Sequence, residues 1–197
     1  MIAAHLPIRK KKQLSDFIRE NELTLKHVLN THLHFDHILG NKYLYDTYGL
    51  KPKYNRIDEA MPGMKEGKIK FGLTTFDYDT VLAEHYLEDQ SVIPFGNTQL
   101  TALATPGHSP GSLSFYSEKE ACVFTGDALF RLDIGRTDLW EGNYEQLLES
   151  IQTKLYTLPG ETTVYSGHGE PSNMAEERAS NPYFHSFCTR KNKPSIL

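Results

Sequence analysis

Residues 31–37 read Thr-His-Leu-His-Phe-Asp-His and place three of the chain's nine histidines within six positions. An apolar, strand-like run precedes this stretch, and a helical pattern follows it. Imidazole nitrogens and carboxylate oxygens are ligands of borderline cations such as zinc. The stretch therefore predicts a metal site in a strand-to-helix loop, with His32 and His34 pointing one way and Asp36 and His37 at the start of the helix.

Three later loops each carry a further potential ligand next to glycine. His108 lies in Thr-Pro-Gly-His-Ser-Pro-Gly (105–111), Asp127 in Thr-Gly-Asp (125–127) and His168 in Gly-His-Gly (167–169). Glycine lets the backbone bend tightly around an ion. The whole set could hold two metal ions, with His32, His34 and His108 at one, Asp36, His37 and His168 at the other, and Asp127 between them.

The order of helical and strand-like patterns predicts an α/β layered fold in a single domain, 1–197, without repeats or linkers. Helices are predicted at Lys10–Asn21, Ile38–Tyr48 with Gly49 at its end, Tyr144–Leu155 capped by Asn143, and Asn173–Ala179. Strands are predicted at Lys26–Asn30, Gln99–Ala104, Ser112–Tyr116, Ala121–Thr125 and Thr163–Tyr165. The segment Arg56–Asp79 gives no clear pattern.

Composition narrows the possible partners. The 197 residues include 39% hydrophobic and 23% charged side chains, typical of a globular protein, and the net charge of −4 argues against nucleic acid as a partner. No apolar stretch is long enough for a membrane helix, and residues 1–12 lack the order of a secretory signal, so we expect a cytoplasmic protein. Cys122 and Cys188 do not suggest a disulfide framework.

Taken in order, the metal motifs resemble those of the metallo-β-lactamase fold superfamily over residues 14–185. Within it, the chain is most similar to the small glyoxalase II-like hydrolases. The similarity rests on Thr-Pro-Gly-His (105–108), Thr-Gly-Asp (125–127), Ile-Gly-Arg-Thr-Asp (134–138) and Ser-Gly-His-Gly (166–169). This resemblance implies an αββα sandwich with a dinuclear centre at one sheet edge.

The resemblance also implies an activity, the metal-dependent hydrolysis of a hydroxyacyl-glutathione or a related small thioester by a metal-bridging hydroxide. Two divalent ions are expected, zinc first, although iron and manganese also suit His and Asp ligands. Asp36 would orient the nucleophile as well as bind metal. Arg136 either faces the substrate or braces its loop by pairing with Asp138. Asp127 disfavours lactam hydrolysis, because the common zinc β-lactamases carry Cys there.

Two departures from the family pattern lead to further expectations. Only about a dozen residues precede Leu14, so the sandwich is predicted to be N-terminally shortened, with an open sheet edge that a homodimer would cover. The helical domain with which larger glyoxalase II enzymes bind glutathione is absent, which leaves the thiol carrier open. The alternatives are a mononuclear iron persulfide dioxygenase that uses His32, His108 and Asp127, and a metal-binding protein with impaired catalysis. The segment 166–169 favours the hydrolase.

Overall fold

The computed structural model describes residues 8–62, 64, 67–71, 74–77 and 79–185. Cys188 and residues 1–7 lie outside this part of the chain. The helices are α1 (Ile8–Glu20), α2 (Phe35–Ile38), α3 (Asn41–Tyr48), α4 (Tyr144–Ser150), α5 (Met174–Ser180) and α6 (Pro182–His185), with a 3-10 helix at Arg56–Ala60 and a π-helical turn at Ile151–Leu155.

Twelve strands are present in the described residues. They are β1 (Val28–Leu29), β2 (Pro52–Lys53), β3 (Lys68–Phe71), β4 (Thr74–Asp77), β5 (Val92–Phe95), β6 (Thr98–Ala104), β7 (Leu113–Ser117), β8 (Cys122–Gly126), β9 (Leu129–Phe130), β10 (Asp133–Ile134), β11 (Thr163–Ser166) and β12 (Ser172–Asn173). Six of them form the large sheet in the order β12-β11-β8-β7-β6-β5, antiparallel except between β8 and β11. The pairs β1-β2, β3-β4 and β9-β10 form separate two-stranded ladders.

Alternating burial along the strands explains how the layers stack, because successive side chains of a strand point to opposite faces. Leu29 packs with Leu100 and Phe115 of the large sheet, whereas its neighbour Val28 packs with Leu44 of α3. The opposite face of the large sheet is covered by α4, the π-helical turn and α5, through Leu147, Ile151, Leu155 and Met174. The layers therefore run helix, small sheet, large sheet, helix, which confirms the predicted αββα sandwich.

One edge of the large sheet collects the loops of interest. Strands β6, β8 and β11 end there and β7 begins there, since β8 runs parallel to β11 and antiparallel to β7. The loop that follows β1 is tied to the same edge, because the backbone N–H of Leu113 donates to the carbonyl of Thr31 at 2.8 Å. Four separate chain segments thus meet at one place.

The predicted helix Ile38–Tyr48 is wrong as a single element. Helix α2 ends at Ile38 and α3 begins at Asn41. The side-chain amide of the buried Asn30 donates to the carbonyl of His37 at 3.0 Å and takes the acceptor that a continuing helix would use, and Gly40 has a low helix propensity. The predicted end at Gly49 is confirmed by its left-handed φ of 67°.

The other predicted elements are present with altered ends. The strand Lys26–Asn30 is reduced to Val28–Leu29. The helix Tyr144–Leu155 begins as predicted, with the Asn143 side chain accepting from the Gln146 N–H at 3.0 Å, but its last turn is π-helical. The segment without a prediction, Arg56–Asp79, contains the 3-10 helix and the β3-β4 hairpin.

The small sheet is narrow in the described part of the chain, with only the two-residue strands β1 and β2 in its ladder. A homodimer that covers its edge stays a prediction. Among the described residues, no helix is long and apolar enough to cross a lipid bilayer.

Replacing Phe115 with alanine should test the inner core. Its side chain is 0% exposed between the two sheets, so we expect Phe115→Ala to lower the free energy of unfolding by about 3–5 kcal/mol. Phe17→Ala is the matched control, because the same side chain is 54% exposed on α1 and its removal should cost little. Urea denaturation of both variants measures the difference, and equal losses would contradict the layer assignment.

Candidate metal centre

The first ligand group contains His32, His34 and His108, whose potential ligand atoms all lie within 4.8 Å of one another. His32 and His34 come from the loop between β1 and α2, and His108 from the loop between β6 and β7. The Nδ1–H of His108 donates to the carbonyl of Arg136 at 2.7 Å, because a carbonyl can only accept. This hydrogen bond leaves the Nε2 lone pair of His108, 2.8 Å from Nδ1 of His34, available for a cation.

The second ligand group contains Asp36, His37 and His168. Asp36 and His37 lie in the short helix α2, and His168 follows β11. The Oδ2 atom of Asp36 lies 3.2 Å from Nε2 of His168 and 3.4 Å from Nε2 of His37. His37 is buried, whereas the side chain of His168 is 46% exposed at the open side of the group.

The carboxylate of Asp127 lies between the two groups. Its Oδ1 is 3.3 Å from Nε2 of His37, and its Oδ2 is 3.7 Å from Nε2 of His108 and 3.6 Å from Nε2 of His168. Asp127 directly follows β8, which places it at the meeting point of the loops. One carboxylate thus faces donors of both groups, as a ligand shared by two ions must.

Burial keeps the first group neutral. Burial and the neighbouring imidazoles lower the pKa of His32 well below its usual value, and burial is also the main cause of the lowered pKa of His108. The pKa of His34 falls to about 4, first because of burial and then because of His108. A neutral imidazole is the form that binds a metal, so this group needs no deprotonation near pH 7.

Carboxylates have the opposite effect in the second group. Burial opposes protonation of His37, but its contacts with Asp127 and Asp36 outweigh burial and raise its pKa to about 9. In turn, contact with His37 lowers the pKa of both carboxyl groups against the effect of burial. His37 is therefore a cation near neutral pH when no metal is bound.

The donor set fits a divalent cation. The Nε2 atom of His32 is buried and has no hydrogen-bond partner among the described residues, which is costly unless another group binds there. Five imidazoles and two carboxylates form three overlapping groups, the third of which joins His32, His37 and Asp127. Nitrogen and oxygen donors of this kind suit zinc, iron and manganese.

Two glycines permit the close approach of the loops. A Cβ atom on Gly167 would collide with Oδ1 of Asp127 and would lie 2.8 Å from Cε1 of His37. A Cβ atom on Gly135 would collide with the backbone carbonyl of Asp127. Any side chain at either position would displace the carboxylate between the two groups.

The buried carboxylate of Asp58 joins two of the ligand loops. Its oxygens accept from the backbone N–H of Leu33 at 3.1 Å, the hydroxyl of Ser109 at 2.9 Å and the backbone N–H of Gly111 at 2.7 Å. Leu33 lies between His32 and His34, and Ser109 follows His108. Asp58 thereby fixes the distance between the loops that supply the first group.

A cleft of about 710 Å³ opens above the two groups. Its floor carries His34, Asp36, His108, Asp127 and His168, and its walls are mostly apolar. Arg136 lies on the rim, where its Nε and NH2 donate to the two carboxylate oxygens of Asp138 at 2.7 and 2.8 Å. Arg136 thus pairs with Asp138 and lines the cleft at the same time.

Comparison with known proteins identifies the family. A model of the metallo-beta-lactamase superfamily matches residues 7–168. The chain belongs to the metallo-β-lactamase superfamily. Members of this superfamily bind divalent metal ions, and the convergent His and Asp side chains are the candidate ligands in this chain.

Curated relatives carry different activities. The chain is 37% identical over 183 residues to "Probable metallo-hydrolase YqgX" of Bacillus subtilis, covering 89% of this chain and 83% of that protein. It is 32% identical over 186 residues to the hydroxyacylglutathione hydrolase GloC of Haemophilus influenzae, covering 91% and 85%. It is also 32% identical over 178 residues to the mitochondrial persulfide dioxygenase ETHE1 of Homo sapiens, covering 88% of this chain but only 62% of that protein.

Solved structures share the fold. The BLEG-1 B3 metallo-beta-lactamase superposes with a TM-score of 0.79 at 31% identity, covering 92% of this chain and 86% of its own. A di-iron-bound form of TTHA1623 superposes with a TM-score of 0.77 at 29% identity, covering 92% and 87%. The superfamily architecture therefore extends over nearly the whole chain.

The structure brings the seven predicted ligand residues together at one sheet edge, and their role as metal ligands stays a prediction. Sequence analysis missed Asp58, because it lies in the segment that showed no pattern and no motif marks it. It also missed the apolar walls of the cleft, whose residues come from loops on both sides of the centre. Glycine beside Asp127 and His168 was noted, and its steric role at Gly167 appears only in three dimensions.

Adding one methyl group at Gly167 should damage the centre. The new Cβ must push away Asp127 and His37, so we expect Gly167→Ala to weaken metal binding about 10- to 100-fold. Gly160→Ala is the control, since the nearest atom to its Cβ belongs to the flexible Arg178 side chain at 3.2 Å. Competition with a chromogenic chelator measures both affinities. Unchanged binding in Gly167→Ala would contradict the position of the Asp127 carboxylate.

The two ligand groups should differ in their response to pH. His37 must lose a proton with a pKa of about 9 before it binds a cation, whereas His34, with a pKa of about 4, is already neutral. We expect the affinity of the second group to fall about tenfold for each pH unit below 9, and that of the first to stay constant above about pH 6. Titration calorimetry in buffers of different ionisation enthalpy measures the released proton. Two ions with the same pH dependence would contradict this assignment.

Proposed function

We propose that this protein is a metal-dependent thioester hydrolase of the glyoxalase II-like type, with two divalent ions and zinc as the first candidate. The observation that carries the proposal is the pair of complete three-residue groups with the Asp127 carboxylate between them. The similarity to the hydroxyacylglutathione hydrolase GloC supports thioester hydrolysis as the reaction, without fixing the thiol carrier.

When bound, two divalent cations supply a water molecule of lowered pKa and a polarised carbonyl. The chain contributes the arrangement around them. His32, His34 and His108 would hold one ion with neutral nitrogen donors, and Asp36, His37 and His168 would hold the other. Asp127 would be shared by the two ions, because its carboxylate lies near His108 of the first group and near His37 and His168 of the second.

The substrate-facing residues complete the chemistry. Asp36 lines the cleft, so its carboxylate is placed to orient the attacking water as well as to bind metal. A substrate bound against the mostly apolar walls would displace water from the cleft, which would strengthen the electrostatic interactions at the floor. Arg136 at the rim would lie next to the part of the substrate that extends outward.

A persulfide dioxygenase with a single iron is the second candidate, because ETHE1 is as similar in sequence as GloC. A single ion held by His32, His108 and Asp127 would leave the complete group of Asp36, His37 and His168 without a role. This geometry favours the hydrolase. A metal-binding protein with impaired catalysis is the third candidate.

Metal content and activity should be measured on the same preparations. We expect two ions per chain and hydrolysis of a panel of thioesters at rates far above those for lactams, which belong in the panel because BLEG-1 is named a β-lactamase. Asp127→Ala should lose both ions, and His168→Ala should lose the second ion together with at least about 100-fold in activity. His85→Ala, an exposed histidine outside the centre, is the matched control.

Three results would contradict the proposal. One iron per chain with oxidation of a persulfide would support the dioxygenase. Two ions with lactam cleavage and no thioester cleavage would exclude the hydrolase. An Asp127→Ala variant that keeps two tightly bound ions would show that this carboxylate is not shared.

A further inference from the structure

The walls of the cleft differ in chemistry from its floor. The potential metal ligands occupy the floor, and the walls are built from Phe35, Met61, Phe130, Ile134, Leu139 and Trp140. These side chains come from α2, the end of the 3-10 helix, β9, β10 and the loop before α4. A substrate whose carbonyl reaches the floor must therefore place its substituents against hydrocarbon and aromatic surface.

The rim offers little attraction for an anionic group. Among the described residues that line the cleft, Arg136 is the only lysine or arginine. Its guanidinium already makes two hydrogen bonds to Asp138, in the bidentate geometry that a substrate carboxylate would need. Asp138 already compensates the charge of Arg136, so a carboxylate that arrives at the remaining N–H groups gains less attraction and is repelled by Asp138.

We propose that the cleft selects acyl-thiols with an uncharged, apolar acyl group and discriminates against substrates that bring carboxylates, glutathione thioesters included. This inference rests on the proposed function for the type of reaction. It concerns the substituents of the substrate, which the walls of the cleft would contact. Each methylene group buried against the walls should improve binding about three- to fourfold. A carboxylate of the same shape loses its hydration against the walls, and the one arginine that lines the described cleft is already paired with Asp138.

The binding test does not depend on turnover. Trp140 is the chain's single tryptophan and lines the cleft, so its fluorescence reports on occupancy. The probes are non-hydrolysable thioethers, S-hexyl-N-acetylcysteamine, its 5-carboxypentyl counterpart and S-hexylglutathione, added to the metal-loaded protein. We expect the hexyl thioether to bind at least about tenfold more tightly than either anionic probe. Equal or tighter binding of an anionic probe would overturn the inference.

Asp138→Asn is the decisive variant. Removing the charge of Asp138 frees Arg136, so this variant should narrow the difference between the hexyl and carboxypentyl probes by improving the second. Glu118→Gln, an exposed carboxylate in the turn after β7, is the control and should leave the difference unchanged. If Asp138→Asn does not change the ratio of the two affinities, the rim pair does not set specificity and the inference fails.

A kinetic comparison separates this inference from the proposed function. Among N-acetylcysteamine thioesters, the succinyl and 4-methylpentanoyl esters have nearly the same shape, and we expect the second to have a kcat/KM at least about tenfold higher. Trp140→Ala should reduce this ratio, and Tyr45→Ala, an exposed aromatic side chain on α3, should not. A preference for the succinyl ester would overturn the inference and leave the hydrolase intact. If the protein binds the hexyl probe selectively but cleaves no thioester, the proposed hydrolase function is overturned and the inferred preference for apolar groups is kept.

Discussion

The candidate metal centre depends on the hydrogen bonds that the Asp58 carboxylate accepts. This carboxylate is buried, and its oxygens accept hydrogen bonds from two loops. His34 in the first loop and His108 in the second are more than seventy residues apart in the sequence. Burial raises the pKa of Asp58, while the hydrogen bonds from Ser109, Gly111 and Leu33 act against this effect. Hydrogen bonds to a charged group contribute about 1.5–3 kcal/mol each, so the three together can hold both loops against their own flexibility.

In the loops of the first group, the backbone and the imidazoles have different roles. The backbone between His32 and His34 is held by Asp58, while the imidazole of His34 contacts that of His108 at the floor of the cleft. The second group is organised differently, because Asp36 and His37 are neighbours in α2 and carry their own charge pairing. Asp58 therefore holds the loops of the first group, whereas helix α2 holds two of the three residues of the second group and His168 joins them from the loop after β11.

Sequence analysis predicted the candidate site where potential ligands lie close together in the sequence or next to glycine. Residues 31–37 and the glycine-flanked His108, Asp127 and His168 revealed the centre because metal ligands are restricted to few residue types. The order of helical and strand-like patterns predicted an α/β layered fold, and the resemblance to the metallo-β-lactamase superfamily implied the αββα sandwich. Asp58 could not be found in this way, since an aspartate in a polar segment looks like a surface residue until the loops fold around it. The break between α2 and α3 was hidden for the same reason, because it depends on the distant side chain of Asn30.

The hydrogen bond from His108 to the carbonyl of Arg136 has a consequence for the whole cleft. Only the tautomer with its proton on Nδ1 can make this bond, and only that tautomer presents Nε2 to a cation. The ring of His108 therefore connects the ligand residues on the floor of the cleft with the rim segment that carries Arg136, Leu139 and Trp140. A substitution that moves this ring from either side would therefore disturb the ligand position on the floor and the rim segment together.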